Sequence, residues 1–410
     1  MIPVHQARIH KTLPTLLMAV FVVMIGFGVT LPVLPFFTER LAVAEGASRE
    51  SVALHVGLLT AVYALMQFLM APIWGRWSDR IGRRRLMLTG IAGAMAAQIL
   101  FAVSISLWLL YLARIAGGVL SSALFPAAAA YVSDITEDSN RANGMAWIGT
   151  STSLGAIAGM VLGGMSTRTD LHLNLTFAHF RIDAFSVPFL VAAALSLTAL
   201  VLAWKWLPEH NAAVTEGPAS EPEWWALVGR LRFPLGLAVF SQSGLTLFEG
   251  TFALFAQERL NYGPFEVGAA FVVCGLVMAL FQVPAATLLG AYWSSYVQLW
   301  WGFLLMAAGS ALILAVTAKP LVLASVAILA LGAAIVSPNI AAMVSRRGEP
   351  HTGAAMGAQS AANSLGQFVG PAIGGILFAW QATAPYLLGS VLLLSAGLAA
   401  ATKIRKRNEP

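Results

Sequence analysis

Residues 54–85 read LHVGLLTAVYALMQFLMAPIWGRWSDRIGRRR. An apolar run of roughly 20 residues, enough to cross a bilayer core as a helix, leads into a short loop in which five arginines surround one acid, Asp79. The whole chain is built the same way. Of its 410 residues 58% are hydrophobic and only 10% are charged, and its mean hydropathy is +0.78. Soluble domains carry roughly a quarter charged residues, so an ordinary soluble enzyme is excluded and a polytopic membrane protein is indicated. The net charge of +6 does not call for nucleic acid, because the excess arginine lies in short loops between apolar runs and reports topology. The single cysteine, Cys274, sits in an apolar run, so neither a disulfide framework nor a cysteine metal site is expected. The first apolar run follows Arg8 and Lys11 and lacks a small-residue cleavage pattern, so it reads as a retained spanning helix.

Runs of spanning length fall at approximately 13–37, 54–74, 86–104, 108–131, 144–164 and 184–206. A second set follows at approximately 234–255, 267–289, 297–317, 320–343, 355–379 and 382–402. They are too long, and alternate too little, for barrel strands. The expected fold is all-α: an integral membrane protein of twelve transmembrane helices in two pseudo-symmetric six-helix bundles. Residues 1–207 form the N-terminal bundle, 208–232 a cytoplasmic linker and 233–410 the C-terminal bundle. The linker carries Glu209, Glu216, Gly217, Pro218, Glu221, Pro222 and Glu223, a composition of loops rather than cores. With both termini inside, seventeen lysines and arginines fall on the inner side and six on the outer, with Arg114 within a span. The positive-inside rule then places both termini in the cytoplasm. The outer segment from Ser166 to Asp183 contains His172 and His179 without a third ligand, so it reads as a surface loop or short interfacial helix and no metal is expected.

The two halves share a signature. Residues 153–164 read SLGAIAGMVLGG and residues 364–375 read SLGQFVGPAIGG, a shift of 211. Gly155, Gly159 and Gly163 recur every fourth position, as do Gly366, Gly370 and Gly374, with Pro371 beside the second set. That spacing cuts a groove along one helix face in which another backbone can lie. Two related halves predict a pseudo-two-fold axis along the membrane normal.

In the loop after the second span, Gly75 and Gly82 allow a tight turn, and Asp79 stands among Arg76, Arg80, Arg83, Arg84 and Arg85. Such an acid can pair with arginines and cap a helix N-terminus in one conformation and lose the contact in another. A latch of Gly75, Asp79, Arg80, Gly82 and Arg83, joined by Asp134 and Arg141 of a later loop, is the expected reading. This loop resembles the signature of the major facilitator superfamily, which also has two six-helix halves. Gly28-Val29-Thr30-Leu31-Pro32-Val33-Leu34-Pro35 and Leu110-Tyr111-Leu112-Ala113-Arg114 with Gly117-Gly118 resemble motifs of its twelve-helix drug:proton antiporters. Tyr63-Ala64-Leu65-Met66-Gln67, followed by Ala71-Pro72, is similar to the bacterial tetracycline exporters. By ungapped counting, the two membrane acids of those exporters fall on Val23 and Ala97 here. Their membrane histidine has no counterpart in the second half, and Met160 stands where the antiporter motif has proline. The resemblance implies a membrane transporter of bacterial inner-membrane type, with efflux and antibiotic resistance as its setting.

Arg114 and Glu249 are the ionisable acids or bases well inside the spans, where a charge needs a polar cavity or a partner. Two roles stay open for Arg114: a fixed cation facing a cavity, orienting a proton carrier or an anionic substrate group, or a hydrogen-bonder to backbone. Taking a carboxylate out of water disfavours its charged form, so Glu249 can load and release a proton. Its alternative is a permanently protonated or lipid-interface acid. Gln67, Gln242, Asn339 and Asn363, with Phe248 and Phe252 around Glu249, are the candidate substrate contacts, an aromatic and amide lining that suits amphipathic molecules.

The expected function is secondary active transport, proton-coupled efflux of a small amphipathic organic compound or drug by alternating access. Export or import of a sugar, siderophore or other metabolite is the alternative, and a transport-silent membrane receptor is the alternative from another class. No phosphate loop, serine triad, metal cluster or dinucleotide fingerprint is present in the sequence, so neither an enzyme nor a cofactor is expected. The expected partners are a small-molecule substrate, protons and the lipid bilayer, with the protein acting as a monomer.

Overall fold

Within a bilayer each backbone N–H and C=O must find its partner inside the segment, which turns apolar runs of this length into helices. A computed structural model describes residues 4–46, 49–137, 140–166, 175–177, 180–182, 185–209, 224–262 and 264–408. The first helices are α1 (Val4–Ala44), α2 (Arg49–Ile81), α3 (Arg83–Ala102), α4 (Leu107–Ser121), α5 (Leu124–Ile135), α6 (Arg141–Ser166) and α7 (Val187–Trp206). After them come α8 (Trp224–Leu260), α9 (Pro264–Pro284), α10 (Gly290–Tyr292), α11 (Ser295–Ala315), α12 (Lys319–Gly348), α13 (Thr352–Trp380) and α14 (Ala384–Asn408). Strands β1 (Leu175–Phe177) and β2 (Phe180–Ile182) pair antiparallel.

These helices fall on the twelve apolar runs. The fourth run is broken at Ser122 and Ala123 into α4 and α5, yet Leu107–Ile135 still counts as one crossing. The eighth passes from α9 through a π-helical turn at Ala285–Leu289 into α10. Pro284 lacks an amide hydrogen, the usual cause of such a break in the i to i−4 ladder. Among the described residues, ten spans are long and apolar enough to cross a membrane. The other two positions belong to α8 and α13, 37 and 29 residues long.

Three local readings change. The stretch from Gly75 to Ile81, read as a loop, is the end of α2, and the turn is confined to Gly82 before α3. The helix α8 begins at Trp224, eight residues before 232, because Leu227 and Leu231 lie one turn apart and are both buried. An amphipathic turn therefore extends the helix back into the segment read as linker. Within 166–183, the apolar residues alternate with period two, and the chain forms the β1–β2 hairpin instead of a loop or helix. His172 and His179 lie outside the described residues.

The chain divides into two compact units, Met1–Ile135 with Ser151–Ala219, and Thr136–Thr150 with Ser220–Pro410. The first is centred on Ile25, Val29, Phe37, Phe101, Leu110 and Phe189. Phe101 of α3 stacks on Phe189 of α7 with ring centroids 4.9 Å apart. In the second, α8 packs along α13, and α11 is held between α12 and α14.

The glycine seams have the same geometry in both units. A Cβ at Gly155 would run into the carbonyl of Phe21, and one at Gly159 into that of Ile25 and, at 2.8 Å, the Cα of Gly28. In the second unit, a Cβ at Gly366 would sit 2.9 Å from the Val239 carbonyl, and one at Gly370 the same distance from that of Ser243. Gly374 faces the Leu247 and Thr251 side chains. So α6 lies on α1 as α13 lies on α8, with the receiving carbonyls four residues apart in each case.

Candidate functional site

At the end of α2 the chain must reverse within one residue. Gly82 does so with φ of 101°, a backbone conformation that side-chain-bearing residues rarely adopt. The turn delivers Arg83 to the first position of α3, where it is only 1% exposed. Its guanidinium donates to Asp79 Oδ1 at 2.6 Å, to Asp134 Oδ2 at 3.0 Å and to Ser78 Oγ at 3.1 Å. One buried cation thus ties the ends of α2, α3 and α5 together. Asp79 and Asp134, far apart in sequence, share it; Gly75 is buried one turn before Asp79, and Arg80 is exposed. Arg141, which opens α6, lies in the second unit and donates to Glu349 Oε1 at 2.7 Å, just beyond α12. Glu349 had no motif to mark it.

Deeper in the first unit, Arg114 on α4 is 4% exposed. Its guanidinium carbon lies 5.1 Å from the centroid of the Tyr63 ring and 5.6 Å from that of Phe101. A cation over aromatic faces is held by the ring quadrupoles, to the extent of about 2 kcal/mol when desolvated. Tyr63 is itself fixed, its hydroxyl 3.2 Å from Ser121 Oγ and accepting from Gln67 Nε2 at 3.3 Å. Beside Arg114 lies a cavity of about 30 Å³, lined by Val23, Thr30, Ala97, Gln98, Phe101 and Ser121 among others. The sequence picked out Arg114 and Gln67, but not the platform that Tyr63 and Phe101 make for Arg114, because the three side chains come from three helices. Close approach of α4 to α2 makes the arrangement possible, since a Cβ at Gly118 would lie 2.8 Å from the Tyr63 carbonyl.

In the second unit, Glu249 is exposed on the surface of α8. Phe248 and Phe252 are turned into the unit, 4.9 Å apart and both packed on Phe271 of α9. They close on one another and on the Phe271 ring. Asn339 is also committed to packing, donating to Gln298 Oε1 and to the Ile335 carbonyl, each at 2.9 Å. Gln242 and Asn363 are half-buried. Among the predicted contacts, then, the structure gathers Gln67 and Arg114 around Tyr63, whereas those of the second unit are dispersed along α8, α12 and α13.

A sequence model described as Major Facilitator Superfamily matches residues 16–318 and 235–410. The chain is 29% identical over 402 residues to the tetracycline resistance protein, class E, of Escherichia coli, covering 95% of this chain and 93% of that one. It is 26% identical to multidrug resistance protein 1 of Bacillus subtilis, covering 93% of each, and 24% identical to the quinolone resistance protein NorA of Staphylococcus aureus, covering 92% of each. Among solved structures, the human organic anion transporter MFSD10 superposes with a TM-score of 0.78 at 22% identity, over 95% of this chain and 99% of that one.

Proposed function

The chain belongs to the Major Facilitator Superfamily, and from that we propose that it is a proton-coupled exporter of small amphipathic organic compounds, working by alternating access. The observation that carries the proposal is the contrast between the charges inside the spans and those at their ends. Arg83 and Arg141 sit at helix ends with carboxylate partners, whereas Glu249 lies within a span and, among the described residues, has no ion-pair partner. A carboxyl exposed to lipid at this depth is costly, so its surface faces the solute path, where it takes a proton from one side and gives it up to the other. The full-length similarity to proteins named for tetracycline, multidrug and quinolone resistance supports export as the direction and drug-like compounds as cargo.

In this reading Glu249 is the principal proton carrier and Arg114 sets the potential of the cavity. Gln67, Gln242 and Asn363 are polar substrate contacts, and Asp79, Arg83 and Asp134 act as the latch. The protein works as a monomer in a bacterial inner membrane with both termini cytoplasmic, the orientation that the seventeen-to-six lysine and arginine split supports. The test is transport by proteoliposomes under an imposed pH gradient. Glu249→Gln mimics the protonated acid, so it should abolish gradient-driven accumulation while substrate still binds. Accumulation at the wild-type level would place the carrier elsewhere.

A further inference from the structure

Arg114 is buried in the first unit and, among the described residues, has no counter-ion. No carboxylate lines its cavity: Val23 of α1 and Ala97 of α3 are apolar, and the polar groups beside Arg114 are Thr30, Tyr63, Gln98 and Ser121. The guanidinium Nε is buried with no hydrogen-bond acceptor, and the buried Oε1 of Gln98 has no donor. Aromatic faces steady the cation but leave its Nε–H unmatched, and an unpaired charge at depth is unfavourable. The cavity of about 30 Å³ is roughly the space of a water molecule or two, or of the three heavy atoms of a carboxylate. It takes the head of a ligand and not its body.

The geometry points to this cavity as a subsite for the carboxylate head of the transported compound, the substrate supplying the counter-ion that the protein lacks. The subsite rests on the reading of the chain as a transporter of amphipathic compounds, and it narrows the cargo to organic acids. The carboxylate accepts from the Arg114 guanidinium, a charge-assisted pairing with planar geometry on both sides. The Gln98 carbonyl takes a donor from the same molecule or from a water carried in with it.

The test is equilibrium binding to the full-length protein in lipid nanodiscs, with naphthylbutyrate and its uncharged analogue naphthylbutyramide as probes. The wild type should bind the acid about tenfold more tightly than the amide, the effect of roughly one hydrogen bond to a charged group. Arg114→Gln, which removes the cation, and Val23→Asp, which gives it an internal counter-ion, should each bring the two affinities level. Arg114→Lys keeps the charge and should keep most of the preference, which separates charge from packing. Equal affinities in the wild type, or binding of neither probe, overturn the subsite. So does an acid preference that survives Val23→Asp, and this variant decides the matter if Arg114→Gln fails to fold. Binding is read here without transport, so a failure of gradient-driven accumulation would count against the exporter reading and leave the subsite standing.

Discussion

Arg83 and Arg114 are both arginines buried in the first unit, and their surroundings set them apart. Arg83 is matched by two carboxylates and a hydroxyl, so its charge is spent on holding three helix ends. Among the described residues, Arg114 meets only rings and neutral groups, so its charge remains available. The Arg83 cluster is suited to breaking and re-forming because Asp79 and Asp134 keep some exposure, 15% and 18%, beside a cation exposed by only 1%. Asp79→Asn retains the shape and replaces an ion pair by a hydrogen bond from the same cation to a neutral carbonyl, a difference of about 1 kcal/mol. It should lower the transport rate several-fold and leave substrate affinity near wild type, as initial rates and equilibrium binding on the same preparation will read. A wild-type rate would show that Asp134 alone holds Arg83 well enough for turnover.

At the scale of elements, the paired seams are the constraint. Where α6 crosses α1 and α13 crosses α8, backbone meets backbone with no room for a methyl group, the close approach that small residues permit in membranes. Gly159→Ala and Gly370→Ala should each force the helices apart at a cost of about 1–3 kcal/mol. Gly375, one position along from Gly374, would place its Cβ in open space, and Gly375→Ala should stay within about 0.5 kcal/mol. Thermal unfolding in detergent compares the three directly. Equal melting temperatures for Gly370→Ala and Gly375→Ala would show that the seam yields without cost. The repeat itself was visible in the sequence; that its partners are α1 and α8 was not, because spacing marks a groove but does not name what fills it.

For the whole molecule, family membership and topology make one joint prediction. Reporter fusions at the C-terminus and within 208–232 should be active only with a cytoplasmic reporter, and those in 167–184 only with an exported one. A linker found on the outside would reverse the orientation read from lysine and arginine and place the Asp79 cluster on the opposite face of the membrane. The proposed proton entry from outside requires the same orientation, so the fusions also bear on the direction of coupling.

Hydropathy and the repeat sufficed for the helical spans and a membrane setting, because lipid imposes helices on any long apolar run. Those are one-dimensional properties, carried by each segment without reference to its neighbours. The stretch around Asp79, read as a loop, is instead the last turns of α2. The start of α8 at Trp224 and the β1–β2 hairpin were misread from local polarity, since short amphipathic periods count for little beside long apolar runs. Tertiary structure alone decided which charges are paired. Arg83 binds Asp134 across 51 positions and Arg141 binds Glu349 across 208, while Arg114 lies on Tyr63 and Phe101 beside a cavity that no acid lines among the described residues. Whether a buried cation is a fastening or a binding site depends on what three or more helices place beside it, and that is fixed only when the helices pack.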